Sequence, residues 1–155
     1  MFRIKYLFSL VFLTLLFLPV GAAEENPWHT DWEKAQKVAE KQERPVLVNF
    51  TGSDWCIWCI RLEEEVFSKE VFKKYARENM MLMKVDFPRN IEQPEAVRKQ
   101  NEKLARKYGI RGFPTVVIVD AEGSEIARTG YRRGGAEAYV GHLETIASEN
   151  DKGKE

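Results

Sequence analysis

Residues 46–59 read VLVNFTGSDWCIWC. The first part, Val46–Phe50, is almost continuously apolar, which is typical of a strand covered on both faces of a sheet. The second part carries Cys56 and Cys59, which are the only cysteines in the chain. Beyond Cys59 the apolar residues take up helical spacing, so the pair is predicted to lie where a strand gives way to a helix.

The rest of the chain alternates between helical and strand patterns. A helix is predicted over Asp31–Arg44, with Thr30 or Asp31 as its cap. A long helix, or two short ones broken near Ser68, is predicted from the cysteines to about Asn79. The later elements are predicted as a strand, a helix, two strands and a helix, over Met80–Phe87, Pro94–Tyr108, Thr115–Asp120, Glu125–Tyr131 and Ala136–Ser148. This order predicts an α/β fold with a four-stranded mixed sheet flanked by helices and an extra helix at the N-terminus.

The N-terminal segment has the pattern of a secretory signal peptide. Arg3 and Lys5 precede an apolar run over 6–19, and small residues follow at 21–23. We therefore expect residues 1–23 to be a cleaved signal peptide. The alternative is an uncleaved membrane anchor, because the run is only a few residues short of the ~20 that a spanning helix needs. The remaining parts are expected to be a polar lead-in, a single domain and a charged tail, over 24–30, 31–148 and 149–155.

Composition and charge exclude several classes of protein. Residues 24–155 carry 22 Lys and Arg against 24 Asp and Glu, a net charge of −2, and we expect no nucleic-acid partner. Zinc requires four ligands, and the remaining soft candidates are His29 and His142, which are far apart in the sequence, so no metal is expected. A disulfide across so short a loop would stabilise little. The cysteine pair is therefore predicted to be redox-active.

From about Trp32 to Ala147 the chain resembles the thioredoxin superfamily. The resemblance rests on a strand followed by the Trp-Cys-x-x-Cys motif at 55–59, and on Gly-Phe-Pro-Thr at 112–115 before a strand and a hairpin. Residues 50–56 and the Glu-rich helix after Cys59 are most similar to exported bacterial thioredoxin-like oxidoreductases, the group that includes DsbH and the C-terminal domain of DsbD. The resemblance implies a thioredoxin fold and a periplasmic thiol–disulfide oxidoreductase.

The cysteines and the proline of this motif set are assigned roles. We expect Cys56 to be the nucleophile, because the start of a helix favours the thiolate, and Cys59 to resolve the mixed disulfide. Pro114 resembles the cis-proline that faces the cysteine pair in this superfamily, where the backbone of the preceding residue, here Phe113, pairs with the substrate chain. The alternative is an ordinary trans proline at the start of an edge strand.

Two tryptophans and an acid complete the predicted site. Trp55 is interpreted as a flat surface beside the nucleophile, with a core position as the alternative, and Trp58 as an exposed docking residue. The family's buried aspartate is replaced by Asn49, which cannot act as a base. Glu63, four residues after Cys59, is the candidate proton acceptor, although 63–65 could equally form a solvated helical face.

We therefore expect a thiol–disulfide oxidoreductase that reduces protein disulfides. Ile57 and Trp58 bring no charge or donor to the sulfur, and Asp54 disfavours a nearby anion, which favours a reductant. The alternatives are a disulfide isomerase or oxidant of the same fold, or a redox-inert binding module that grips apolar segments through Trp55, Trp58 and Phe113. No cofactor is expected. The expected partners are protein disulfides and a membrane electron donor or acceptor, with the protein as a monomer.

Overall fold

The computed structural model describes residues 28–152, and the side chains of residues 28–148. The predicted signal peptide and most of the polar lead-in lie outside the described residues. The elements follow one another in the predicted order, and the helical region after the cysteines is divided near Ser68, which is one of the two predicted alternatives. They are α1 (Trp32–Gln42), β1 (Val46–Thr51), α2 (Ile57–Leu62), a π-helical turn (Glu63–Phe67), α3 (Glu70–Asn79), β2 (Met81–Asp86), α4 (Glu95–Lys107), β3 (Thr115–Val119), β4 (Glu125–Thr129) and α5 (Gly135–Lys152).

The four strands form one mixed sheet in the order β2-β1-β3-β4, as predicted. β2 runs parallel to β1, β3 runs antiparallel to β1, and β4 runs antiparallel to β3. One end of the sheet therefore holds the carboxyl ends of β1, β2 and β4 and the amino end of β3. We call it the cysteine end, because the connection from β1 to α2 that carries Cys56 lies there.

Apolar side chains cover both faces of the sheet. Val46, Val48 and Phe50 of β1 point to one face, where they pack with buried residues of α1 and α4. Leu47 points to the other face, where it packs with residues of α2, the π-helical turn, α3 and α5. β1 is buried along its whole length, as its continuous apolar run predicts.

The helix ends follow from local chemistry. Asp31 caps α1 by accepting a hydrogen bond from the backbone of Lys34, so of the two predicted caps the structure uses Asp31. The helical region after the cysteines is interrupted near Ser68, whose N–H donates to the carbonyl oxygen of Glu63 across a π-helical turn. The backbone of α5 stays helical to Lys152, four residues beyond the predicted end, and no Gly or Pro occurs in 149–152.

The last residues of the predicted lead-in cover the outer edge of the sheet. His29 pairs in parallel with β2, donating to Leu82 O and accepting from Lys84 N, both at 2.8 Å. The Trp28 ring packs on Phe67 with 5.1 Å between centroids. The edge of β2 is thereby protected from pairing with another chain. Within residues 28–152, no helix combines the length and apolarity needed to cross a membrane.

Candidate active site

Cys56 and Cys59 lie at the start of α2 and form a disulfide, with 5.2 Å between their Cα atoms. Cys56 is the N-cap residue of α2, and its sulfur accepts a hydrogen bond from the N–H of Cys59 at 3.3 Å. The sulfur of Cys59 accepts from the N–H of Gly52 at 3.5 Å. Each sulfur therefore faces a backbone donor that can stabilise a thiolate.

Ser53 and Trp55 connect the segment before Cys56 to the end of β2. The Ser53 hydroxyl donates to Asp86 at 2.6 Å, and the indole N–H of Trp55 donates to the carbonyl oxygen of Phe87 at 2.8 Å. Gly52 lies under the same indole, and a Cβ there would approach the ring to 2.5 Å. The indole of Trp55 is thus held against the backbone of Gly52 and Phe87, in the residue next to Cys56.

Asp54 binds the backbone of the loop that follows β2. Its carboxylate accepts from Arg89 N at 3.0 Å and from Asn90 N at 2.6 Å. These backbone hydrogen bonds, led by that of Arg89, hold the pKa of the Asp54 carboxyl below its usual value. The Arg89 guanidinium lies 3.8 Å from the ring centroid of Trp55. Three consecutive residues, 53–55, are therefore bound to 86–90.

The Phe113–Pro114 peptide bond is cis, as predicted. The Phe113 ring packs edge-on against Trp55, with 5.9 Å between centroids, and stacks on Phe87 at 5.2 Å. Gly130 lies beside the proline, since a Cβ there would be 3.1 Å from the carbonyl oxygen of Pro114. The contacts with Trp55 and Gly130 connect the cis-proline loop to the cysteine loop on one side and to the end of β4 on the other.

Trp58 is exposed to 43%, as predicted, and Ile57 is exposed to 59%. The Trp58 ring contacts Tyr131, with 5.2 Å between centroids, and Arg61 lies over the same ring at 5.1 Å. The Tyr131 hydroxyl donates to the Glu65 carboxylate at 2.7 Å, and this hydrogen bond raises the pKa of Tyr131. We call Trp55, Trp58, Phe113 and Tyr131 the aromatic platform.

A second side of the site is a cleft of about 180 Å³ beside Cys59. Glu63 and Lys84 line this cleft together with Cys59, so the predicted proton acceptor shares a space with the thiol that it would serve. Asn49 pairs with Lys84 in the register of β1 and β2. Asn49 is exposed to only 4%, and its side-chain oxygen is buried without a hydrogen-bond partner.

Three residues of the site were not predicted from the sequence. Lys84 reaches the cleft through strand register, Tyr131 contacts Trp58 because β4 ends at Thr129, and Arg89 covers Trp55 from the loop after β2. The predicted β4 extended to Tyr131, which would have kept this residue within the sheet. Strand alternation in β2 was the available signal for Lys84, since it stands between the buried residues 83 and 85.

Comparisons with known proteins agree with this geometry. A family model described as a thioredoxin-like domain matches residues 32–146. The disulfide bond reductase DsbH of Chlamydia pneumoniae is 36% identical over 127 residues, covering 82% of this chain and 75% of that protein. A solved structure of a DsbH oxidoreductase, also 36% identical, superposes with a TM-score of 0.75 over 83% of this chain and 88% of that one.

A more distant structure shares the fold alone. The oxidised C-terminal domain of DsbD from Neisseria meningitidis is 21% identical and superposes with a TM-score of 0.57, over 77% of this chain and 99% of that one. The family match, the DsbH likeness and the Cys56–Cys59 disulfide at a helix start agree with one another. The chain belongs to the thioredoxin-like domain family and is a thiol–disulfide oxidoreductase.

Proposed function

We propose that this protein is an exported disulfide reductase of protein substrates, with Cys56 as the nucleophile and Cys59 as the resolving thiol. The observation that carries the proposal is the position of Cys56 as the N-cap of α2, beside the exposed Trp58. Both cysteines are almost buried, with Cys56 exposed to 7% and Cys59 to 5%, so their positions in the helix distinguish them. The free N–H groups at the helix start favour a thiolate at Cys56, whereas Cys59 lies one turn further along, against the backbone of Gly52.

The proposed reaction has two exchange steps. The Cys56 thiolate attacks one sulfur of the client disulfide, forms an intermolecular disulfide and releases one client cysteine as a thiolate. Cys59 then loses its proton, attacks the sulfur of Cys56 and releases the second client cysteine. The client gains two electrons and the protein loses two, so an external dithiol must reduce the Cys56–Cys59 disulfide before the next cycle.

Glu63 is the proposed acceptor for the proton of Cys59. It lines the same cleft as Cys59, whereas the buried Asn49 cannot accept a proton at neutral pH. Lys84 lines this cleft too.

The aromatic platform and Pro114 are proposed to bind the client. Phe113 presents its backbone next to the cis bond, and Trp58 offers exposed apolar surface on the other side of Cys56. Residues 1–23 support export by their pattern of charge, apolar run and small residues. The electron donor is proposed to be a membrane-borne dithiol, and the protein to act as a monomer.

Trapping of the mixed disulfide tests the assignment of the two cysteines. Cys59→Ser, reduced and mixed with a disulfide-containing protein, should accumulate an intermolecular disulfide through Cys56, because the second step is blocked. Cys56→Ser is the matched control and should accumulate none. Equal trapping by both variants, seen on non-reducing gels and by mass spectrometry, would overturn the assignment.

The equilibrium reduction potential tests the direction of electron flow. We expect a value near the thioredoxin end of the range, about −270 mV, because Ile57 and Trp58 bring no charge to stabilise the Cys56 thiolate. Titration of the mature protein against dithiothreitol and glutathione measures it. A value of about −120 mV would make the protein an oxidant and would overturn the reductase proposal.

A further inference from the structure

The charged side chains are divided unevenly between the two ends of the sheet. Four connections meet at the cysteine end, 52–56, 87–94, 108–114 and 130–134, and three lie at the opposite end, 43–45, 80 and 120–124. The connections at the cysteine end hold four arginines, no lysine and two acids: Arg89, Arg111, Arg132, Arg133, Asp54 and Glu92. Those at the opposite end hold one arginine and three acids, which are Arg44, Glu43, Asp120 and Glu122. The connections at the cysteine end therefore carry a net charge of +2, and those at the opposite end carry −2. Residues 24–155 as a whole carry a net charge of −2.

The arginines in the connections at the cysteine end are more available to a partner than the net charge of these connections indicates. Asp54 already accepts backbone hydrogen bonds from two residues of the loop after β2. The four arginines, which we call the arginine rim, are exposed, and none of them forms an ion pair with another residue of the described 28–148. Their guanidinium groups therefore keep free donors around the cysteine pair.

We propose that the arginine rim and the aromatic platform together form a docking surface for extended client segments that carry Asp or Glu near the cysteine to be reduced. This inference rests on the proposed function, and it adds the class of client. The planar guanidinium group donates two parallel hydrogen bonds to a carboxylate, which a lysine does not. The all-arginine composition of the rim therefore favours carboxylates over other polar groups.

The spacing of the rim suits a polypeptide. Adjacent strands lie about 4.8 Å apart, so β2, which leads to Arg89, lies about one strand spacing from β1. On the other side, β4, which leads to Arg132 and Arg133, lies about two strand spacings, or about 10 Å, from β1. An extended chain advances about 3.3 Å per residue, so acids one to three residues from the client cysteine would reach the rim on both sides.

A series of matched peptides tests the docking surface. The substrates are disulfide-linked dimers of a seven-residue peptide with a central cysteine. The three peptides are identical except that the two positions before the cysteine and the two positions after it are all Glu, all Gln or all Lys. Stopped-flow tryptophan fluorescence measures the rate constant with the reduced protein. Each rate constant is divided by that for dithiothreitol, which corrects for the intrinsic reactivity of each disulfide.

We expect the corrected rate constants to fall in the order Glu, Gln, Lys, with about tenfold between the extremes at low salt and less than about twofold in 0.5 M NaCl. The double variant Arg132→Gln/Arg133→Gln should slow the Glu peptide about threefold and leave the Gln peptide unchanged. The matched control, Lys37→Gln/Lys41→Gln, removes the same charge from exposed positions of α1 and should change neither.

Three results would overturn the inference. The first is equal corrected rate constants for all three peptides, and the second is an equal effect of the control pair, which would assign the preference to overall charge. The third is a dimer at assay concentration, seen by sedimentation, that dissociates in the Arg132→Gln/Arg133→Gln variant, which would assign the rim to a second copy of the chain. Failure to reduce any peptide would instead overturn the proposed function, and the docking inference with it.

Discussion

Replacement of Asn49 by aspartate tests whether the sheet beneath the cysteines excludes water. Asn49 is exposed to 4%, and its side-chain oxygen has no hydrogen-bond partner, so a carboxylate there would lose hydration without gaining a donor. Burial raises the pKa of such a carboxyl, and Lys84, its neighbour in the register, moderates the rise. We expect the pKa of Asp in the folded Asn49→Asp variant to be about 7, against about 3.9 in the unfolded chain.

This shift makes the stability of the variant depend on pH. The folded state keeps its proton up to about pH 7, whereas the unfolded chain releases it near pH 3.9, so stability falls as the pH rises between these values. At about 1.4 kcal/mol per pKa unit, the loss is about 1.5 kcal/mol at pH 5 and about 4 kcal/mol at pH 8.

Urea unfolding of the oxidised protein at both pH values measures the loss. The control is Asn79→Asp, the same chemical change at an exposed position of α3, for which we expect less than about 0.5 kcal/mol of change between the two pH values. Equal stability losses for Asn49→Asp at pH 5 and pH 8 would refute the reasoning, because they would mean that the cleft or Lys84 keeps the carboxylate ionised.

Three further predictions concern the cleft, the core and the cysteine loop. Glu63→Gln should slow the release of the mixed disulfide at pH 7 by about tenfold or more and leave its formation unchanged, and stopped-flow kinetics that show no change would assign Glu63 to the solvated face. Tyr139→Phe should raise the free energy of unfolding by about 1 kcal/mol, because the Tyr139 hydroxyl is buried without a partner; a loss in urea unfolding would contradict this. Asp54→Ala should speed amide hydrogen exchange at Arg89 and Asn90 by about tenfold at pH 6. In the parent protein the same amides should lose protection only as the pH falls below 3.8, since the pKa of Asp54 is lowered. If these amides stay protected in the Asp54→Ala variant, the carboxylate does not hold this loop.

The fold could be predicted because its determinants are local. The apolar run of Val46–Phe50 predicted a strand covered on both faces, and the switch to helical spacing after Cys59 predicted the position of the pair at a helix start. Pro114 was identified by its Gly-Phe-Pro-Thr context, and its peptide bond is cis. Each of these features is encoded within a few consecutive residues, so neither strand order nor register was needed to find it.

The surroundings of the cysteines could not be predicted in the same way. Lys84 enters the cleft because β2 pairs with β1 in one particular register, and a shift of one residue would turn it to the opposite face. Tyr131 lies 73 positions after its partner Trp58, and Arg89 lies 34 positions after its partner Trp55. These residues meet in space because their loops share the cysteine end. The π-helical turn depends on a hydrogen-bond pattern that apolar spacing does not specify.

The hydrogen bonds that join the cysteine loop to the end of β2 and to the loop after it all come from residues that precede the first cysteine. Ser53, Asp54 and Trp55 carry them, whereas Ile57 projects into solvent. The segment that ties the loop to β2 is thus separate from the dipeptide between the cysteines. A library that randomises residue 57 should therefore sample a range of potentials while the hydrogen bonds of residues 53–55 stay in place, so selection can tune the chemistry without rebuilding the fold.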